Sequence, residues 1–271
     1  VRVSTASLSR PGRANEDFVV ASPEVTVVID GAGTPEGLET GCVHGVSWFA
    51  RNLGIAAFRE ALGADITLSA CLAAAIEQTA DLHRSTCAVD DPFSPSATVS
   101  MFRERPTDFE WLVLGDSLVA LDSGGPTPLA VSDQRLALIA RDIRGDLKHA
   151  RSDSPEHRET HRVLVEAERS LRNTSGGYWV AAADPQAAAE AHTGSVARSK
   201  LVRAALLSDG AARLIDEFRI ASWSTGLDIL ERKGPGEFID QVRQAELSDP
   251  DCKRWPRGKV HDDATVAFLQ P

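Results

Sequence analysis

The stretch Val25-Thr-Val-Val-Ile-Asp-Gly-Ala32 decides how this sequence folds. An unbroken run of β-branched residues reads as a buried strand. It ends on a carboxylate, and the glycine that follows lets the backbone turn sharply. The construction recurs along the sequence. Asp116 closes Trp111-Leu-Val-Leu-Gly-Asp-Ser117, and Asp209 closes Ala204-Ala-Leu-Leu-Ser-Asp-Gly210. Asp262 stands before the last apolar run, His261-Asp-Asp-Ala-Thr-Val-Ala-Phe-Leu269. A carboxylate at the rim of a core strand is costly to bury alone. These aspartates make sense together when the strands lie side by side and the carboxylates share cations. Hard divalent ions such as Mg²⁺ and Mn²⁺ prefer oxygen ligands of this kind. The pattern points to a metal-dependent hydrolase.

Composition bounds the reading. A sequence of 271 residues, 42% hydrophobic, holds one large domain or two small ones and can bury a sizeable core. A net charge of −10 argues against nucleic acid as a partner, because phosphate-backbone binding needs clustered Lys and Arg. Cysteines stand at 42, 71, 87 and 252 without a C-x-x-C pair. Cys42 and Cys71 fall in apolar helical patterns, so the cysteines read as small buried residues in a reducing cytosol. No apolar run reaches the roughly 18 residues that span a bilayer. Val1-Arg-Val-Ser-Thr5 lacks the apolar core of a signal peptide. The expectation is a soluble cytoplasmic protein with no membrane partner.

Periodicity gives the organisation. Residues 3–9 and 18–29 read as strands separated by the Pro11-Gly12 turn. Cys42, Val46, Phe49, Leu53 and Ala56 recur at helical spacing through Leu62. A second helix follows Asp65 or Thr67, with Leu68, Leu72, Ile76 and Thr79 on one face. Strands return at 97–102, 110–114, 118–121 and 127–131. Residues 141–172 are dense in both charge signs and carry His149, His157 and His161. They read as a solvated helix, with a metal at the i, i+4 pair His157 and His161 as the alternative. Strand character resumes at Tyr178-Trp-Val180, and Ala181 to His192 reads as a short helix or covering loop. A last helix runs from about Phe238 to Leu247, after Gly234-Pro-Gly236, before the closing strand Ala264–Leu269. Strands in antiparallel-looking sets beside separate helix pairs make an α+β pattern. A final strand set beside early ones favours one domain over residues 1–271.

The carboxylates can be given roles. Asp30 has two oxygens and can bridge two cations, and Gly31 leaves its carbonyl accessible. Glu16, in Asn15-Glu16-Asp17, lies one hairpin from Asp30 and suits one ion; Asp209 and Asp262 suit the other. A hydroxide shared between two ions roughly 3.5–4 Å apart is a strong nucleophile for in-line attack on phosphorus.

Taken in order, Arg13-Ala-Asn-Glu-Asp17, Val28-Ile-Asp-Gly-Ala-Gly33, Ser96-Ala-Thr98, Gly115-Asp-Ser117, Ser208-Asp-Gly210 and Asp262-Asp-Ala-Thr-Val266 resemble the signature of the metal-dependent type 2C serine/threonine protein phosphatases of bacterial type. The resemblance covers essentially the whole sequence. It implies a four-layer αββα sandwich, two antiparallel sheets flanked by helix pairs, with the metals at one end. It implies two Mn²⁺ or Mg²⁺ ions. Asp30 bridges them, Asp209 and Asp262 hold the first, and Glu16 and the Gly31 carbonyl hold the second. A looser third ion falls to Asp116 with Asp209. Asp17 is then a supporting residue, and Asp262 rather than Asp263 is the ligand. The implied reaction is hydrolysis of phosphoserine and phosphothreonine esters on proteins, with those phosphoproteins, serine/threonine kinases or the kinases' targets as partners.

The sequence departs from the family on the phosphate side. The phosphate-clamping arginine usually stands four residues before the glutamate; here Arg13 stands three before Glu16 and Arg10 six before. Arg13 is the first choice and Arg10 the second. Ala32 occupies the position of the histidine that eukaryotic members carry after Asp-Gly, which leaves protonation of the leaving oxygen to a metal-bound water or another residue, with His261 as a candidate donor or a merely structural residue. Thr34 replaces a second glycine. The segment at about 132–175 corresponds to the variable flap and is a candidate for substrate selection. A small phosphomonoester substrate and a catalytically weak regulatory relative are the rival readings.

Overall fold

Strand-forming runs build two five-stranded antiparallel sheets in the computed structural model, which describes residues 1–32, 40–63, 65–149 and 154–271. The first sheet orders β1 (Arg2–Leu8), β10 (Ala264–Gln270), β9 (Arg203–Leu207), β6 (Leu118–Asp122) and β7 (Leu129–Val131). The second orders β2 (Phe18–Ala21), β3 (Val25–Ala32), β4 (Ser96–Glu104), β5 (Asp108–Leu114) and β8 (His192–Ala197). The closing strand pairs with the opening one, Val3 opposite Leu269.

The alternation of β3 sets the layers. Val27 and Ile29 point to α1 (Val46–Ala61) and α2 (Leu68–His83), where they meet Phe49, Leu53, Leu72 and Ile76. Val28 points the other way, into a layer between the sheets with Phe102, Val113, Leu206 and Ala267. A third apolar layer packs Leu207, Val266 and Phe268 against α6 (Asp209–Asp216) and α7 (Trp223–Ser248). The order is helices, sheet, sheet, helices, which is the expected αββα sandwich. A strand buried on both faces loses polar alternation, which is why β3 reads as a continuous apolar run.

Several elements differ from their sequence reading. The run 18–29 is a hairpin: Ser22 accepts from the amides of Glu24 and Val25 at 3.2 and 3.1 Å and turns the chain between β2 and β3. Strand β8 was not anticipated, because its edge residues His192-Thr-Gly-Ser195 carry no apolar alternation. Element α7 is two helical stretches that meet at a kink, where Gly234 leaves helical geometry at φ 87°. The second stretch follows Gly234 as the sequence reading has it, and the first, from Trp223, was not anticipated. Cys42 lies ahead of α1, whose N-cap is Gly45.

The charged segment forms α3 (Arg135–Leu138), α4 (Arg141–His149) and α5 (Pro155–Arg169). Ser154 caps α5 by accepting from the His157 amide at 3.0 Å. Arg162 pairs with Glu159 and Glu166 on the solvent side, as expected of a solvated helix, while Leu164, Val165 and Arg169 are buried on the other. His157 donates through Nε2 to the Gly258 carbonyl, 2.9 Å away, so that nitrogen docks the helix and is committed to the backbone rather than to a metal shared with His161. Gly33 and Thr34 lie outside the described residues. Among the described residues no helix is long and apolar enough to cross a membrane.

Candidate functional site

Register brings the strand-end carboxylates to one end of the sandwich. In the β3–β4 pair Asp30 stands opposite Thr98. Thr98 Oγ1 and Ser117 Oγ share a hydrogen bond of 2.7 Å, which ties the Ser96-Ala-Thr98 strand start to the Gly115-Asp-Ser117 turn and fixes Asp116. Asp209 begins α6 directly after β9, and its amide donates to Asp30 Oδ2 at 3.1 Å, joining the two sheets. Asp262 stands two residues before β10. Ser208 locks that approach: its amide donates to the Thr265 carbonyl at 3.0 Å and its hydroxyl accepts from the Thr265 amide at 2.9 Å.

Two glycines make the close approaches possible. A Cβ at Gly31 would overlap the Glu16 carbonyl oxygen, and one at Gly210 would overlap the Asp263 carbonyl oxygen. Both overlaps are with backbone, which cannot swing aside. Gly210→Ala is therefore expected to cost about 3 kcal/mol, an overpacking effect at the upper end of its ordinary range. Thermal melting checks this; a melting temperature equal to the parent's would show that α6 does not need to sit this close.

Charge is unbalanced here. Burial, followed by Asp17, Asp209, Asp116 and Asp262, raises the Asp30 carboxyl well above its ordinary range. Burial and then Asp209 push Asp116 up to about 7. Burial pushes Asp17 up to about 8, against the neighbouring hydroxyls of Thr265 and Ser208. Glu16 is raised by burial, with Arg10 opposing. Asp262 behaves differently. Burial pushes it up, but Lys259 and Arg213 outweigh that and hold it low. Arg213 Nη2 donates to its Oδ2 at 2.8 Å, and Lys259 Nζ lies 3.3 Å from each oxygen. Clustered, largely desolvated carboxylates with raised proton affinity at Glu16, Asp30 and Asp116 are a donor set that suits hard divalent ions.

The structure also separates residues that sequence motifs leave ambiguous. Asp263 accepts from the backbone amides of Arg10 and Glu16, at 2.7 and 2.9 Å, so its carboxylate is committed to holding the β1–β2 loop. Arg10 donates to Glu16 Oε2 at 3.3 Å, while Arg13, the first choice from sequence, is exposed in the turn beyond it. Ala32 ends β3 and brings no titratable group. His261 Nδ1 lies 2.8 Å from the fully buried Glu246, which Arg213 and Arg243 also hold, so His261 belongs to a structural ion-pair cluster. Sequence reasoning missed Lys259 and Arg213. Lys259 was visible as a cation three residues before Asp262; Arg213, in the first turns of α6, carried no signal.

Solved structures share this architecture. The Mycobacterium tuberculosis serine/threonine phosphatase PstP/Ppp matches with a TM-score of 0.58 at 18% identity, over 99% of this chain and 97% of that one. A second structure, of the PstP catalytic domain in complex with 2 manganese ions, matches with the same TM-score at 17% identity, over 99% of this chain and 97% of that one. This is the fold of the bacterial type 2C serine/threonine phosphatases. Stp1 of Staphylococcus aureus, a serine/threonine phosphatase, matches with a TM-score of 0.60 at 11% identity, over 99% and 94%. PppA of Pseudomonas aeruginosa, described as a key regulatory component of T6SS, matches with a TM-score of 0.56 at 17% identity, over 100% and 98%. No protein-family model matches the chain, and no curated protein does.

Proposed function

We propose that this protein is a metal-dependent serine/threonine protein phosphatase built as one domain over residues 1–271. The observation that carries the reading is the meeting of Glu16, Asp30, Asp116, Asp209 and Asp262 at one end of a sandwich with the phosphatase fold. Asp30 would serve two Mn²⁺ or Mg²⁺ ions, with Asp209 and Asp262 available to the first and Glu16 and the Gly31 carbonyl to the second. Asp116 with Asp209 accounts for a weaker third. Bound there, the ions supply an activated water and neutralise phosphate charge.

The chain's own residues do the rest. Asp30, Asp209 and Asp262 would hold the ions in place, and Arg213 and Lys259 orient Asp262. The β1–β2 loop, pinned by Asp263, presents Arg10 and Arg13 to the phosphate, whose oxygens match a guanidinium fork. Helices α4 and α5 stand over this end through His157 and Gly258, where the flap can meet the protein part of the substrate. With Ala32 in place of a histidine, protonation of the leaving serine or threonine oxygen falls to water. The reading places the enzyme in the cytoplasm, opposing serine/threonine kinases on shared targets.

Arg10→Ala is expected to raise KM for a phosphopeptide about tenfold or more, the scale of a lost charge-assisted bond. Arg13→Ala tests the alternative clamp, and the larger KM effect identifies the phosphate-binding arginine. Turnover of phosphoserine and phosphothreonine peptides with Mn²⁺, set against small phosphomonoesters, tests the substrate class. Preference for the small esters would point to a metabolite phosphatase on the same site.

A further inference from the structure

A second donor set lies away from the carboxylates. Cys42, His44, His83 and Cys87 are the metal-ligating side chains whose donor atoms converge within 4.8 Å of one another among the described residues. Cys42 Sγ lies 3.6 Å from His83 Nδ1 and 3.9 Å from His44 Nδ1, and Cys87 Sγ lies 3.3 Å from His44 Nδ1. Zinc–sulfur bonds near 2.3 Å and zinc–nitrogen bonds near 2.0–2.1 Å in a tetrahedron put sulfur and nitrogen donors about 3.5 Å apart. The observed spacings are those edges to within a few tenths of an ångström.

The backbone is shaped to deliver these four groups. His83 ends α2, and Cys87 continues its line, with the Cys87 amide donating to the His83 carbonyl at 2.9 Å. Residues four apart on such a turn share a face. Cys42 and His44 come from the bent loop just before α1, whose N-cap is Gly45. The two segments are stitched by the Ala88 amide to the Gly41 carbonyl, 2.8 Å, and by the Val43 amide to Cys87 Sγ, 3.4 Å. The imidazoles are held by rings. His44 stacks on Trp48 at 4.4 Å, and His83, buried, meets Trp48 edge-on at 5.1 Å.

We propose that Cys42, His44, His83 and Cys87 form a structural Zn²⁺ site that clamps the start of α1 to the end of α2. Two thiolates and two imidazoles in a tetrahedron select zinc over Mg²⁺ and Mn²⁺, which prefer oxygen. Four protein ligands close the shell, so the ion is structural rather than catalytic. The clamp has a consequence for the carboxylate end. Ser47, one residue into α1, donates to the Asn15 carbonyl at 2.7 Å, and Val46 packs at Gly31. Zinc therefore fixes the helix start that supports the Glu16 and Gly31 loops.

The test is metal analysis of the purified protein after dialysis under reducing conditions against metal-free buffer. About one zinc per chain is expected to remain in the parent and in Asp30→Asn, and to be lost from Cys42→Ser/Cys87→Ser. A second readout needs no substitution: cobalt(II) exchanged into the parent is expected to give the intense visible absorption and thiolate charge-transfer band of a tetrahedral S₂N₂ site. Absence of retained zinc together with absence of that cobalt spectrum overturns the proposal, as does a Cys42–Cys87 disulfide found by mass spectrometry in protein purified with reductant.

Discussion

Asp30→Asn is expected to lower phosphate-ester hydrolysis by about 10³-fold or more, the scale for losing a group that stabilises transition-state charge, while leaving the protein folded. The reason is that Asp30 is a structural burden without cations. It is half-buried, desolvation raises its proton affinity well above the ordinary carboxylate, and Asp17, Asp209, Asp116 and Asp262 add to the effect. An amide of the same shape removes the charge and still accepts the Asp209 amide at the oxygen that now receives it. In metal-free buffer near pH 8 the substituted protein is therefore expected to melt above the parent. Turnover of p-nitrophenyl phosphate and thermal melting read the two effects separately. Full activity in a folded Asp30→Asn protein would remove Asp30 from the site, and a large loss of stability would make its role architectural.

Removing divalent cations from the parent is expected to abolish activity and to expose a pH-dependent stability of definite sign. Asp17 and Asp116 are raised from an ordinary value of 3.8 to about 8 and about 7. Near pH 4 and below, folded and unfolded chains both keep these protons. As pH rises from about 4 toward 8, the unfolded chain releases them first, so the folded state binds more protons and loses stability. Above about pH 8 the loss levels off. The metal-free protein should thus melt lower at pH 8 than at pH 6, by several degrees or more for carboxylates this buried. Lys259 and Arg213 make Asp262 run the other way: its lowered proton affinity contributes stability above the ordinary carboxylate range and loses it only in stronger acid. Mn²⁺ at the rim should flatten the slope between pH 6 and 8. A metal-free protein with no such slope would mean that the carboxylates are not jointly buried.

Much of the fold was legible because strand burial writes itself into β-branched runs. Val25 to Ile29 and Ala204 to Leu207 had to be central strands, and each delivers an aspartate to the same end. The helix pair 46–83 was legible from spacing, and Thr67 from its capping role. Strand β8 was not, because a polar edge strand needs no periodic apolar residues. Nor was the first stretch of α7, from Trp223, although the break at Gly234 that separates it from the second was. At the site, motif order pointed to the carboxylates but not to their cations. Arg213 reaches Asp262 across the α6–β10 junction, and Arg10 reaches Glu16 from a loop pinned by Asp263; such contacts are set by tertiary approach. The cysteines were undervalued for a related reason. Their partners are histidines 41 and 43 residues away, joined only when α1 and α2 pack.

The most direct test of the central claim is anomalous diffraction from crystals grown with Mn²⁺. Two manganese peaks flanking the Asp30 carboxylate, one reached by Asp209 and Asp262 and one by Glu16 and the Gly31 carbonyl, are the expected result. A map with no manganese at Asp30, at Mn²⁺ concentrations that support hydrolysis, would contradict it.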